Sequence, residues 1–415
     1  EALGIKDYPL LPLVLQDKTF VPEDVAVQDS KWDQDKWGKP GDLWMPHVYM
    51  PNQNPYDETG AASMGRWDYG PWFWPVFGTS AGLKNGEIKN PYCDQTVTPP
   101  NCPPGEAPFI PGTPSSYNNK VSDASLVPEA FVDTAVVNGV AYPYLDVDPK
   151  AYRFRILNGF NARFTEWQLS DGRPFMRIGK DTWLLPKPIE EPTLLMSPAQ
   201  RADIIIDFTD APPELYLQNI LSQVSGRGPQ GSFTQRAHLA TPVPFLKFIV
   251  EGPPQPDSAT IDMTTTLRPH EKLDPASAVG VRTFDFHRRN GAWQINQQFY
   301  DPNRADATPT IASTEKWILR NNSGGWWHPI HIHLESHQII SYNGGPPPAA
   351  FAFKNDVTYL TGNGVVELLM RFRTFKGPFV FHCHNNAHED MRMMCNMDPR
   401  LTPTQAPARV QASFP

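Results

Sequence analysis

Tyr152, Phe154 and Ile156 alternate with Arg153 and Arg155, the period of a strand with one face in a core and the other in water. The same texture runs from Ala130 onward. AVVNGVAYPYLDV, AYRFRILNG, RFTEWQLS, FMRIGKD, TLLMSP, RADIIIDFT and PFLKFIV are short apolar runs parted by turn residues. Earlier, PLLPLVLQDKTF predicts a strand bounded by prolines and ended by a charged turn. Residues 29–126 differ, being rich in Pro, Gly, Asn and aromatics with few strand-length runs. Their segment GRWDYGPWFWPVF reads as a loop packed onto the body, with a pocket lining as the alternative.

EGPPQPDSAT at 251–260 breaks the pattern. A second series then follows in RTFDFHR, WQINQQF, EKWILRNN, HPIHIHL, HQIISYN, VVELLMRF and FVFHCH. No long helical periodicity competes. Many short strands at close spacing predict an all-β chain built as sandwiches or barrels. The expected division is a middle domain at 1–252 with a long Pro- and aromatic-rich insertion, a linker at 253–274, and a C-terminal domain at 275–415.

Composition sharpens this picture. The 46 prolines cannot sit inside helices or central strands, so they imply long loops between short strands. With 12 Trp, 13 Tyr and 23 Phe spread along 415 residues, the chain has the means to pack rather than stay disordered. A net charge of -8 with no basic run argues against nucleic acid as a partner. No apolar stretch approaches the ~18–20 residues of a membrane-spanning helix. The opening EALGIKDYPL looks like neither a signal nor a transit peptide, so any targeting segment is expected to be removed or upstream. Cys93 and Cys102 flank a Pro-rich loop, and a disulfide there would indicate an oxidising compartment; two unpaired thiols are the alternative.

Six of the 11 histidines fall in two short segments. WWHPIHIH carries His328, His331 and His333. FHCHNNAHEDMRMM carries His382, His384 and His388 around Cys383. On a strand, residues i and i+2 share a face and i+1 takes the other. The imidazoles of His382 and His384 therefore aim one way and the Cys383 thiolate the other, so one tripeptide serves two sites. On the thiolate side, Cys383, His388 and Met393, joined by His328, make a His₂Cys set with an axial thioether, which suits blue copper. Zinc, the alternative, prefers closed Cys/His tetrahedra and rarely recruits methionine. On the other side, His331, His333, His382 and His384 offer four imidazoles, suited to copper and numerous enough for several ions.

These segments resemble the third and fourth copper-binding motifs of multicopper oxidases, H-P-x-H-x-H and H-C-H-x₃-H-x₄-M. The HED-x-x-MM ending is similar to the branch of spore-coat laccases, bilirubin oxidases and phenoxazinone synthases. VVNGVAYPYLDVDPKAYRFRILNGFNARF and SPAQRADIIIDF look like that branch's second domain. The likeness is good from about 125 to 400 and weaker in 29–125. It implies two cupredoxin-like Greek-key β-sandwich domains. It also implies type 1 copper on His328, Cys383 and His388 with Met393 axial, a type 2 ligand in His331, and type 3 ligands in His333, His382 and His384. By the same likeness Glu389 assists proton delivery to oxygen; the bland reading is a surface acid paired with an arginine such as Arg392.

The family's trinuclear cluster takes four further ligands as two H-x-H pairs in an N-terminal cupredoxin domain. This sequence has no such pairs, since His47, His238, His270, His287 and His337 are outside any. EALGIKDYPLLPLVLQDKTF resembles the start of the second domain, so the expectation is an N-terminal domain that is missing or supplied as a separate chain. The resemblance implies a laccase-like oxidase that takes single electrons from a small reducing substrate (a phenol, an aromatic amine, a pigment or a metal ion) and passes them to dioxygen. A non-catalytic blue-copper module for electron transfer or copper storage is the competing function. An extracellular, periplasmic or spore-coat location follows from the likeness. Met391, Met394 and Met397 crowd Met393, either as packing or as soft ligands for a cuprous substrate. Cys395 reads as a buried thiol or a partner for another segment. Asn321 opens an Asn-Asn-Ser sequon just before the ligand strand.

Overall fold

The computed structural model describes residues 5, 8–28, 34–44, 88–89, 96–99, 109–110, 132, 134–401 and 408–409, apart from 224–226, 233, 257–259, 290–291 and 391–392. The aromatic segment at 65–77, the Cys93–Cys102 pair, His47, Met391 and Arg392 lie outside the described residues. Among the described residues the expected β architecture is present, as two sheet pairs with two further two-stranded sheets and only short helices.

In the first pair, one sheet runs in the order Trp183–Glu191, Phe175–Lys180, Arg201–Asp207, Ala151–Asn158, Leu10–Phe20, Thr134–Val137, Val140–Ala141. The other runs Leu194–Met196, Thr165–Leu169, Glu214–Leu221, His238–Val250, Tyr144–Val147. Leu10–Phe20 joins Ala151–Asn158 in parallel, and His238–Val250 joins Tyr144–Val147 the same way, so the chain crosses between sheets rather than meandering. The inward faces meet in one core containing Leu13, Leu15, Phe154, Ile156, Trp167, Leu217 and Phe248. Each large side chain buried there contributes about 1.5–3 kcal/mol.

The alternation that announced Ala151–Asn158 holds for Phe154 and Ile156, but Arg153 is not solvated. Its guanidinium makes paired hydrogen bonds of 2.8 and 2.5 Å to Asp203 on the neighbouring strand, and it is 9% exposed. A cross-strand carboxylate lets a charged residue occupy a covered outer face.

The second pair comprises a sheet ordered Ala292–Ile295, Ala278–Arg289, Thr314–Asn322, Val365–Arg371, His337–Tyr342, Lys354–Asn355, and a sheet ordered Val357–Leu360, His328–Ile332, Phe379–Cys383, Met394–Met397. Phe284, Trp317, Ile330, Leu368 and Phe381 fill the space between them. The two sandwiches touch directly. Phe164 of the first lies edge-on against Trp327 and Tyr359 of the second, with ring centroids 5.5 and 5.9 Å apart. Residues 260–273 run along the first sandwich: Tyr8 Oη accepts from the amides of Thr260 and Ile261, and Leu267 N donates to Pro186 O. This seam brings first-sandwich residues up to the histidine strands.

Candidate metal centre

The strand His328–Ile332 lies antiparallel to Phe379–Cys383, with Ile330 opposite Cys383 and His331 opposite His382. Residues opposite one another share a face. Register therefore puts Cys383 on the face of His328 and Ile330, and His382 on the face of His331. The core face is dry, since His328, Ile330, Phe381 and Cys383 are all fully buried. The face-splitting expected from His-Cys-His is present.

On the core face, Cys383 Sγ lies 3.5 Å from His328 Nδ1 and 3.6 Å from His388 Nδ1, and the two Nδ1 atoms are 3.1 Å apart. These three donors form a compact cluster able to hold a metal ion. His388 comes from the short helix Asn386–Asp390, whose first turn is held by Asn385 Oδ1 accepting from the amides of Ala387 and His388. Met393 is fully buried, and its backbone ties the site together: Met393 N donates to His388 O, and Cys383 N donates to Met393 O. Trp293 lies over the His388 ring with centroids 3.8 Å apart, and the Arg288 guanidinium caps Trp293 and Trp326 at 5.1 and 4.7 Å.

The orientation of His328 is set from behind. Ser323 Oγ is 2.8 Å from His328 Nε2 and donates its own proton to Asn321 Oδ1 at 2.6 Å. The Ser323 oxygen therefore accepts from Nε2–H, which leaves the Nδ1 lone pair facing Cys383. Asn321 Nδ2 in turn donates to the carbonyls of Trp326 and Thr361. The sequon is thus a buried brace, with Asn321 2% exposed. Its role was missed in the sequence, where the only signal was an Asn-x-Ser triplet directly before the ligand strand. Gly228 of the first sandwich holds the other side of that turn. Its φ is +117°, a Cβ there would fall 2.6 Å from Trp327, and Trp327 N donates to Arg227 O.

On the opposite face the four remaining imidazoles gather. Ring centroids of His331 lie 4.7, 5.6 and 6.1 Å from those of His333, His382 and His384. His333 Nε2 and His382 Nε2 are 3.3 Å apart. His331 Nδ1 donates to the Asp356 carbonyl at 2.9 Å, and His382 Nδ1 lies 3.2 Å from Glu389 Oε2. His384 Nδ1 is buried without a partner. Burial pushes His328 and His331 down to about 3, and lowers His333 and His384 as well. Neutral imidazoles present the lone pairs a metal needs. Burial pushes the Glu389 carboxyl up, but its hydrogen bond to His382 and the neighbouring His382, His384 and His333 imidazoles together outweigh this and leave it below the ordinary value. A cleft of about 440 Å³ opens beside His331 and His384, bounded across the seam by Asn158, Phe160 and Arg201.

The donors fit the metal that the motifs suggested. A thiolate and two imidazoles beside a buried methionine suit copper, and an imidazole-only group with an unpartnered ring nitrogen suits further copper ions. Met397 is buried in the core and Met394 half-buried on the same strand, as packing requires. Cys395 is 2% exposed and in no disulfide, and burial raises its thiol pKa well above the ordinary value. His238, His270 and His337 are engaged elsewhere, with Glu166, the Leu184 carbonyl and Thr358.

Residues 272–400 match the family described as Multicopper oxidase. A laccase of Bacillus subtilis (strain 168) is 31% identical over 314 residues, 70% of this chain and 59% of that protein. A bilirubin oxidase of Albifimbria verrucaria is 32% identical over 65% of this chain and 48% of that protein. The crystal structure of a multi-copper oxidase from Pediococcus acidilactici matches with a TM-score of 0.55 and 26% identity, over 66% of this chain and 53% of that one. The chain spans less than two thirds of the length of these relatives.

Proposed function

The chain belongs to the multicopper oxidase family, and on that premise we propose that it is the copper-binding part of a laccase-like oxidase. Its reaction couples one-electron oxidation of a small reducing substrate, such as a phenol, an aromatic amine, a pigment or a metal ion, to reduction of dioxygen to water. The observation that carries this reading is the placement of Cys383. Its Sγ faces His328 and His388, while the imidazoles of His382 and His384, one peptide away on either side, belong to the four-histidine cluster.

His328, Cys383 and His388, with Met393 beside them, would hold type 1 copper, His331 would hold type 2 copper, and His333, His382 and His384 would hold type 3 copper. Copper in these places supplies reversible one-electron storage. The protein's own part is positional. Ser323 and the Asp356 carbonyl select ring nitrogens, and Trp293, Phe286 and Phe381 exclude water from the thiolate. Glu389 holds a carboxylate 3.2 Å from His382 Nδ1 and half-open to solvent, where it can relay protons toward the cluster.

Four imidazoles complete half of the cluster, so the remaining donors would come from an N-terminal cupredoxin domain or chain. We propose a division into a middle domain at 1–252, a linker at 253–274 and a C-terminal domain at 275–415, a reading that the two sheet pairs support. An extracellular, periplasmic or spore-coat location suits an oxidase of this kind; no described helix is long and apolar enough to cross a membrane.

Copper loading of the purified chain, followed by absorption spectroscopy and oxygen uptake with a phenolic donor, tests the reading. An intense blue band, with oxygen uptake that appears only when an N-terminal cupredoxin domain is added, supports it. Full turnover by this chain alone overturns the proposed division of ligands. A blue band with no turnover under either condition favours a non-catalytic electron carrier.

A further inference from the structure

A cluster of charged side chains crosses the seam between the sandwiches and ends on one histidine of the imidazole group. Asp181 sits in the turn between the strands Phe175–Lys180 and Trp183–Glu191, with a positive φ of 53° and a fully buried side chain. Its Oδ2 accepts from the amides of Asp356 and Val357 in the second sandwich, at 3.0 and 3.4 Å. Arg201 begins the adjacent strand Arg201–Asp207. It donates from Nη2 to Asp356 Oδ2 at 2.5 Å and from Nη1 to its own sandwich's Ala199 carbonyl at 2.7 Å. Lys180 Nζ and Gln200 Nε2 both donate to the Val357 carbonyl at 3.4 Å. Side chains of the first sandwich thus grip one short stretch of backbone in the second.

That stretch carries a single carbonyl with a particular task. Asp356 O accepts from Ile332 N at 3.0 Å and from His331 Nδ1 at 2.9 Å. A carbonyl can only accept, so His331 must carry its proton on Nδ1. Its Nε2 is then the lone-pair nitrogen, on the side of the ring away from Asp356. We propose that Asp181 and Arg201 are positioning residues for His331: by clamping the Asp356–Val357 peptide across the seam, they fix which nitrogen His331 offers to the imidazole cluster. Neither touches an imidazole. The metal-binding competence of the second sandwich therefore depends on its docking to the first. The physical reason is that a neutral imidazole has two tautomers of similar energy, and only one well-aimed acceptor separates them. A carbonyl held on both flanking amides and on its own side chain cannot rotate away, whereas a free loop carbonyl can.

The inference rests on the imidazole group being a metal site. Its primary readout is taken on metal-free protein, so it fails or holds independently of that reading. With ¹⁵N-histidine in the full chain, long-range ¹H–¹⁵N correlation reports the tautomer of each ring, and His331→Gln identifies the His331 signals. The expected wild-type result is a single Nδ1–H form at His331. Asp181→Ala and Arg201→Gln should each produce a mixture of tautomers. Asp181→Asn keeps an acceptor oxygen for the two amides and should retain the single form, a rescue that mere stabilisation of the fold would not predict. In copper titrations, Asp181→Ala and Arg201→Gln should weaken binding at the imidazole cluster about 10- to 100-fold. The Cys383-dependent visible band in the same samples should be unchanged. If Asp181→Ala does not fold, Arg201→Gln decides the matter alone. A folded Arg201→Gln chain that keeps a pure Nδ1–H form at His331 overturns the proposal, as does a wild-type chain with the proton on Nε2.

Discussion

His328 Nδ1 and His388 Nδ1 face each other at 3.1 Å in a pocket with no exposed surface, with Cys383 Sγ within 3.6 Å of both. At that distance the two nitrogens share at most one proton, and His328 has its own proton committed to Ser323 on the far side of the ring. Lone pairs and a thiol are thus converged on one point. Cys383→Ser should abolish the thiolate–copper visible band while leaving copper at the four-histidine cluster. Absorption spectra alongside copper analysis of the two proteins test this, and an unchanged band would remove Cys383 from the centre.

The Ser323–Asn321 brace makes a sharper claim about tautomers. Ser323→Ala leaves His328 Nε2–H without an acceptor in a buried site, at a cost of about 1–3 kcal/mol in folding stability. The same change should weaken copper binding at the Cys383 site about 10- to 100-fold. Denaturant melts of the metal-free chain and competitive copper titration read the two effects separately. Peptide mass spectrometry should find no glycan on Asn321, because its amide already donates to two carbonyls inside the fold.

Trp293 is fully buried and lies tilted over His388 while meeting Trp326 edge-on at 5.1 Å. Trp293→Ala should cost about 3–5 kcal/mol, the usual range for emptying an aromatic core position. Trp293→Phe should cost less and keep His388 covered. Urea unfolding of both variants orders them, and equal stabilities would show that the ring is not packed as described.

His337, which is not itself one of the proposed metal ligands, supplies a pH dependence of its own. Burial, with a smaller push from Lys180, holds its imidazole at about 3 against an ordinary 6.5. Between those values the unfolded chain binds a proton that the folded chain does not. The neutral ring's contribution is fully present above pH 6.5 and is lost as pH falls toward 3. The slope is about 1.4 kcal/mol per pH unit for this one group. His337→Gln should remove one proton from the acid dependence of unfolding of the metal-free chain, measured as the change in slope between pH 6 and 4. An unaltered slope would mean that His337 is protonated in the folded state.

The local code for strands and ligands was legible because it is short-range. Period-two alternation located the strand Ala151–Asn158, and the His-Cys-His triplet predicted a thiolate facing away from its imidazole neighbours. Both follow from where successive side chains point along an extended backbone. Where a residue's environment came from another strand, the reading failed. Arg153 looked solvated until Asp203 was placed beside it, and Asn321 looked like a sequon until two carbonyls closed on its amide.

What the sequence determined by itself was therefore which atoms could bind metal and on which face of a strand they stood. Which nitrogen each histidine offers was decided only in three dimensions. Ser323 Oγ reaches His328 from the turn just before its strand, whereas the Asp356 carbonyl and the Asp181 and Arg201 side chains behind it come from distant positions in the chain. A hydrogen bond needs an acceptor within about 3 Å; folding of the second sandwich brings these oxygens to the rings, and packing against the first holds the Asp356 carbonyl in place.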